Sequence, residues 1–306
     1  MRRKATSPQH RVFGLGQCSL DALGRIAAYP PPDVKCEFSG LTVQGGGPVA
    51  TALAALSRWG VACTFAGVVG DDTAGDAIRA SLLAEGIDTA GLVTRPGALS
   101  QQAFIFAEPA RKGRRTIFWQ RPTGDPLRPE EVDLERLLRA HAFHTDGLFI
   151  ESALFAADEA RKAGIPVVVD AGTLREGMLD LARRSDCFIA SETFGRALAG
   201  DDFPGEALKR MAALGPGLVA VTLGAEGYAA LLDGRIVRKP AWPARAVDTT
   251  GCGDVFHAGF VYGLLNGWEH ARSLDFGAWA AARVSRRLGG REGIPTLRQV
   301  RAAGYR

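Results

Sequence analysis

GGGPVATALAALSRWGVACTFAGVVGDDTAGDAIRASLLAEG, residues 45–86, reads as helix, strand and helix in succession. Pro48 opens an apolar run that reaches Trp59, and Gly60 follows its end. Pro fits a helix start, where its missing N–H goes unneeded, and Gly fits the turn beyond a helix end. Ala62–Val69 is a continuous apolar run of strand length, and Ala74–Glu85 is helical again and stops at Gly86. Outward from this stretch, Val12–Ser19, Pro166–Asp170, Cys187–Ala190 and Leu218–Leu223 are further short apolar runs, with helical segments between them. This alternation predicts an α/β fold, a doubly wound and mostly parallel sheet with helices on both faces. Ligands of such sheets bind outside the carboxyl ends of the strands.

Two stretches break the alternation. Residues 22–44 contain Pro30, Pro31 and Pro32 and little helical periodicity. Residues 99–121 hold two β-prone runs, Ala103–Ala107 and Thr116–Trp119, around the turn-like Pro109–Arg114. Structureless loops of that length are uncommon, so both are expected to form strands of a small β lid outside the main sheet. The expected organisation is one α/β domain over residues 11–306, with the lid inserted in it and a flexible basic tail over 1–10.

Composition narrows the function classes. A formal charge of +4, with 46% hydrophobic and 23% charged residues, is that of an ordinary globular protein. No Lys/Arg stripe interleaved with aromatics suggests nucleic acid, and no apolar run of about 18 residues suggests a membrane span. The five cysteines, Cys18, Cys36, Cys63, Cys187 and Cys252, form no CxxC pair, which argues against zinc and a disulfide framework and for a reducing, cytoplasmic setting. The basic start lacks the apolar segment of a secretory signal.

The chemistry concentrates in AVDTTGCGDVFHAGFVYG, residues 246–263. A glycine-flanked turn that opens a helix aims several backbone N–H groups at one spot, with the helix dipole behind them, and so makes an anion site. Asp254 stands in the first turn. A carboxylate there can take a proton from a hydroxyl while the amides hold phosphate oxygens. A plain capped helix after a Gly turn is the alternative reading of this segment alone.

DTTGCGDVFHAG (Asp248–Gly259) resembles the DTTGAGDxFxxG signature of the ribokinase, or PfkB carbohydrate kinase, family, with Cys252 where Ala is usual. Residues 45–75 resemble the family's N-terminal signature through the paired glycines and then Gly67, Gly70, Asp72 and Gly75. Val221-Thr222-Leu223-Gly224 with Gly227 is similar to its nucleotide-binding VTxGxxG turn. The agreement in order and spacing runs over roughly residues 11 to 300. The resemblance implies a ribokinase-like fold and an ATP-dependent transfer of the γ-phosphoryl group to a hydroxyl of a sugar or sugar-like molecule. It implies Asp254 as general base, Gly251, Cys252 and Gly253 as the anion hole, and Asp21, Gly45 and Gly46 as substrate contacts. Thr222, Gly224, Gly227 and Thr250 become nucleotide contacts. Mg²⁺ is expected with ATP, and K⁺ at Asp248, Thr250, Val284, Arg287 and Gly289. A homodimer through the lid is expected, because paired lids cover each other's strand edges.

Departures from the family pattern are specific. Ala50 stands where most sugar kinases of this family carry Asn, and Gly293 where Ser is common. The NxxE of the magnesium–phosphate site is replaced by Ser191-Glu192-Thr193-Phe194, so Glu192 is the remaining candidate for Mg²⁺. GGGPVATA with GGREGIP (Gly289–Pro295) resembles the branch containing sulfofructose kinases. A nucleoside or vitamin-alcohol kinase on the same scaffold, and a non-catalytic sugar or nucleotide binder, are the competing functions. A dinucleotide oxidoreductase is disfavoured because Gly14-Leu15-Gly16 lacks its third glycine, with Ser19 in that place. His257 is read as a packed or solvated side chain, Asp71 and Asp72 as loop residues rather than metal ligands, and Arg111–Arg115 as a solvated lid turn. The cluster Arg283–Arg287 is read as partly facing the nucleotide. Cys252 is read as a small apolar filler, with a reactive thiol as the alternative.

Overall fold

The computed structural model describes residues 10–306; all but the last residue of the expected tail lies outside the described residues. The chain opens with β1 (Arg11–Leu15), breaks at Gly16 and enters β2 (Ser19–Arg25) of a second sheet. A loop leads to β3 (Ser39–Gly46), followed by α1 (Pro48–Arg58), β4 (Ala62–Gly70), α2 (Thr73–Ala84) and β5 (Asp88–Arg95). β6 (Gln102–Glu108) and β7 (Arg114–Gln120) form a hairpin. The alternation resumes with α3 (Leu134–Leu138), β8 (Ala142–Thr145), α4 (Ile150–Lys162), β9 (Val167–Ala171), α5 (Met178–Arg183) and β10 (Cys187–Ser191). After α6 (Glu192–Ala199), α7 (Gly205–Ala212) and β11 (Leu218–Thr222), the chain turns back as β12 (Tyr228–Leu232) and β13 (Arg235–Lys239). It finishes with α8 (Cys252–Leu265), α9 (His270–Val284) and α10 (Leu297–Ala302).

Nine strands form the main sheet in the order β13-β12-β11-β10-β9-β8-β1-β4-β5, parallel from β5 to β11. β12 and β13 are antiparallel at one edge. From β1 the chain builds outward first through β4 and β5 and later through β8 and its successors, so the winding reverses between β1 and β8. Such a reversal splays the loops at the strand ends and leaves a crevice. Two apolar layers cover the sheet. One joins α1, α2, α8 and α9, with Leu53, Phe260 and Phe276 fully buried, and the other joins α4 to α7, with Phe143, Phe188 and Phe194 fully buried.

The second sheet, β3-β2-β6-β7, is the lid. Its strands fall within or beside the two stretches that broke the alternation, except that β2 begins earlier, at Ser19. Asp21, expected at the end of the first strand, therefore lies on the second, in the lid. The chain leaves the main sheet just past Gly16, whose amide still bonds Ala66 O and where a side chain would strike Val49 and Asp146. In register across the lid lie Gln44, Asp21, Ala103 and Trp119, then Thr42, Leu23, Ile105 and Ile117, then Ala107 and Arg115 on the same face. That face turns to the crevice, where Leu23, Ala103, Ile105 and Ala107 pack on Leu288. No described helix is long and apolar enough to cross a membrane, and all five cysteines are free.

Candidate active site

The turn before α8 is held from two directions. Asp248 is fully buried; its Oδ1 accepts from the amide and hydroxyl of Thr250 at 2.9 and 2.8 Å, and its Oδ2 from the amide of Gly289 at 2.8 Å. Gly251 takes φ +75°, where a side chain would be strained, and a Cβ there would strike the backbone of Gly290. Segment 289–290 thus seals the turn from behind. From the front comes the lid: Gly113, at the hairpin tip, accepts from the amide of Thr249 at 3.2 Å, and Arg115 Nη1 donates to Thr249 Oγ1 at 2.6 Å. Arg115, read as part of a solvated lid turn, is exposed as expected and also hydrogen-bonded to this turn.

The amides of Gly251, Gly253 and Asp254 have no partner among the described residues, and nothing stands where a Cβ of Gly253 would go. The Cys252 amide donates to Thr249 O at 3.3 Å, so the free donor set includes Asp254 in its place. The Cys252 thiol points inward and donates to Ala281 O at 3.5 Å, and burial pushes its pKa up to about 12. Both observations favour the apolar-filler reading, since burial outweighs the helix N-terminus in setting the thiol's proton affinity.

Asp254 opens to the crevice, with protein crowded round it. Burial first, then the charges of Asp170, Asp21 and Asp146, raise its pKa to about 8, against an opposing pull from Arg115. Asp21 is buried, accepts from Ser19 Oγ at 2.7 Å and is also raised, chiefly by burial. A Cβ at Gly46 would collide with its carboxylate, and one at Gly45 would strike Ser81 and the Arg291 guanidinium, which accounts for the paired glycines. Asp146 accepts from the amides of Gln17 and Leu148 at 2.8 and 2.9 Å, and burial lifts it to about 6.

On the nucleotide side, Thr222 ends β11, and its hydroxyl reaches Ala190 O at 3.4 Å. Gly224 and Gly227 have positive φ; Gly224 faces open space, and a Cβ at Gly227 would strike Lys239 O. Glu192 is half exposed and paired with Arg196 at 2.7 Å, while Phe194 is fully buried in the core, so neither reproduces a preset carboxylate for Mg²⁺. No cluster of three or more potential metal ligands occurs among the described residues. Val284 ends α9 with its carbonyl accepting from the amide of exposed Arg287, and a Cβ at Gly293 would press on that carbonyl. Asp71 and Asp72 are structural: Asp72 caps α2 through the amide of Gly75 and holds Ser100, and Asp71 accepts from the amide of Gly97.

Sequence reasoning missed Asp146, Asp170, Arg115 and Arg291. Asp170 carried a usable signal, a carboxylate closing an apolar strand. Arg115 carried none beyond its membership of a basic turn.

A sequence profile described as pfkB family carbohydrate kinase matches residues 9–297. The ATP-dependent ribose-1-phosphate kinase of Halopiger xanaduensis is 27% identical over 304 residues, 95% of this chain and 97% of that relative. A crystal structure of the ribokinase kind from Agrobacterium tumefaciens superposes with TM-score 0.88 at 27% identity, over 96% of this chain and 97% of the other. Another, from E. coli and solved with ATP and Mg²⁺, gives TM-score 0.80 at 21% identity, over 96% and 98% of the two chains.

Proposed function

The chain belongs to the pfkB family of carbohydrate kinases, and from that premise we propose a division of labour for its phosphorylation of a sugar with ATP. Asp254 accepts the proton of the substrate hydroxyl. The amides of Gly251, Gly253 and Asp254 neutralise charge on the phosphoryl group in transit, a task that consists of positioning and electrostatics. Asp21 and the backbone at Gly45 and Gly46 orient the sugar beneath the lid. Thr222, Gly224, Gly227 and Thr250 line the nucleotide. The observation that carries this reading is a carboxylate seated among unpartnered helix N-terminal amides, with its proton affinity raised toward neutral pH.

Magnesium neutralises phosphate charge when it arrives with ATP. Such an ion keeps several waters and needs one or two protein carboxylates, and Glu192, in line with the end of β11, is the residue that would reach it once released from Arg196. A monovalent cation fits beside Asp248, because this buried carboxylate has no Lys, Arg or His in ion-pair range among the described residues. Carbonyls of Thr250, Val284, Arg287 and Gly289 would complete the site. The lid, latched to the turn at Gly113 and Arg115, excludes water during transfer. Its outer face carries Val43, Phe104 and Phe118 exposed in one row, which suits a second copy of the chain.

The test is a screen of sugars, sugar phosphates, sulfosugars and nucleosides that follows ADP release. A sugar-class acceptor that releases ADP in proportion to phosphorylated product is expected. Turnover with nucleosides alone would overturn the sugar assignment.

A further inference from the structure

Beneath the first turn of α8 lies a histidine–carboxylate pair, His257 and Asp170, with no part in the roles above. His257 is 2% exposed. Its Nδ1 lies 2.8 Å from the carbonyl oxygen of Gly253 and 3.3 Å from Oδ2 of Asp170, and its Nε2 lies 3.3 Å from the carbonyl oxygen of Ile189. All three neighbours are acceptors. A neutral imidazole has one N–H and can serve only one side of the ring, whereas the imidazolium serves both. His144 stacks on His257 with ring centroids 6.0 Å apart. It is the neutral member of the stack: its Nδ1 meets Val168 O at 3.1 Å, its Nε2 has no partner, and burial lowers its pKa to about 3.

Asp170 closes β9 and has no Lys or Arg within ion-pair distance among the described residues; His257 is its partner. The same carboxylate is the charged group that raises Asp254 most. Two carboxylates facing one crevice, Asp170 buried and Asp254 open to it, repel. A hydrogen-bond donor that holds one of them lowers that cost.

We propose that the His257–Asp170 pair is a positioning element for Asp254. The His257 ring ties the carbonyl of Gly253 to β9 and β10, fixes the turn that presents the base, and holds the carboxylate of Asp170 behind it. This rests on Asp254 being the base. The charged and titratable groups around the pair are His144 and Asp146 at β8, Arg175 after β9, Asp254 on α8 itself, and Asp21 and Arg115 from the lid.

Two measurements test it. In ¹⁵N-histidine-labelled protein without substrate, Nδ1 of His257 should resonate as a protonated, hydrogen-bonded nitrogen, because it faces two acceptors. An Nδ1 without a proton overturns the proposal, whatever the protein phosphorylates. The second is the pH profile of kcat/KM, whose rising limb reports the base of the free enzyme. His257→Gln leaves Asp170 unbalanced and should move the limb up by about one pH unit, with both KM values within about twofold of wild type. Asp170→Asn should move it down by a similar amount, and the double variant should follow Asp170→Asn. Limbs that stay in place while both variants lose thermal stability would make the pair a structural brace only. Should His257→Gln not fold, Asp170→Asn and the resonance measurement still decide.

Discussion

At the scale of single residues, the feature with the widest consequences is a carboxylate held where it prefers a proton. Asp254→Asn should lower kcat by about two to four orders of magnitude and leave ATP binding nearly intact. Near-wild-type turnover on a confirmed substrate would remove Asp254 from the role of base. The same substitution should stabilise the unliganded protein. A folded pKa near 8 lies above the unfolded value near 4, so the stability linked to the proton is full below about pH 4 and lost as pH rises through 8. The melting temperature of Asp254→Asn should therefore exceed that of wild type by a margin of a few degrees that widens from pH 5 to pH 8. A constant margin would mean that Asp254 has an ordinary proton affinity. Cys252 gives the opposite kind of expectation. Cys252→Ala should stay active, and iodoacetamide should inactivate wild type and variant alike or neither; protection confined to the variant would show a reactive thiol. The glycine turn and its Asp254 were legible because backbone geometry demands particular residues at fixed spacing. His257 reads as packed or solvated and is packed; its neighbour Asp170 was not legible, because the two are far apart in sequence and only the sheet brings them together.

At the scale of elements, the lid hairpin acts as a latch. Gly113 and Arg115 both bond to Thr249, and Arg115 is the cation that lowers the proton affinity of Asp254 against the neighbouring carboxylates. Arg115→Ala should reduce kcat about tenfold to a hundredfold with a smaller change in KM for ATP, and Arg115→Lys should recover part of the loss. An unchanged kcat would leave Arg115 as an ordinary surface residue. The turn behind α8 predicts an ion response. Rates in KCl should exceed rates in tetramethylammonium chloride at equal ionic strength, and equal rates would take the monovalent cation away from Asp248. Strands with continuous apolar runs, such as β4, β9 and β11, were visible in the sequence, since burial on both faces leaves few polar positions. β8 was not, because AFHT is short and its His144 reads as polar although it is fully buried. The β12–β13 edge hairpin escaped because β13, RIVRK, is largely exposed and carries charges, as edge strands do.

At the scale of the molecule, the uncovered lid face predicts association. Sedimentation should find a dimer for the wild type, and Phe104→Glu with Phe118→Glu should give a monomer. A wild-type monomer at micromolar concentration would rule out the lid as an interface. The seal behind the anion-binding turn has a different consequence, one of timing. Gly289 binds Asp248, and Gly290 packs on Gly251, so the turn stays unfinished until a much later stretch of chain has left the ribosome and docked. A nascent chain halted before Gly289 would already carry the strands of both sheets and could bury much of its apolar surface. It would still lack the donor that fixes Asp248. Translation order thus leaves the glycine turn before α8 without its seal until the chain beyond α9 has emerged.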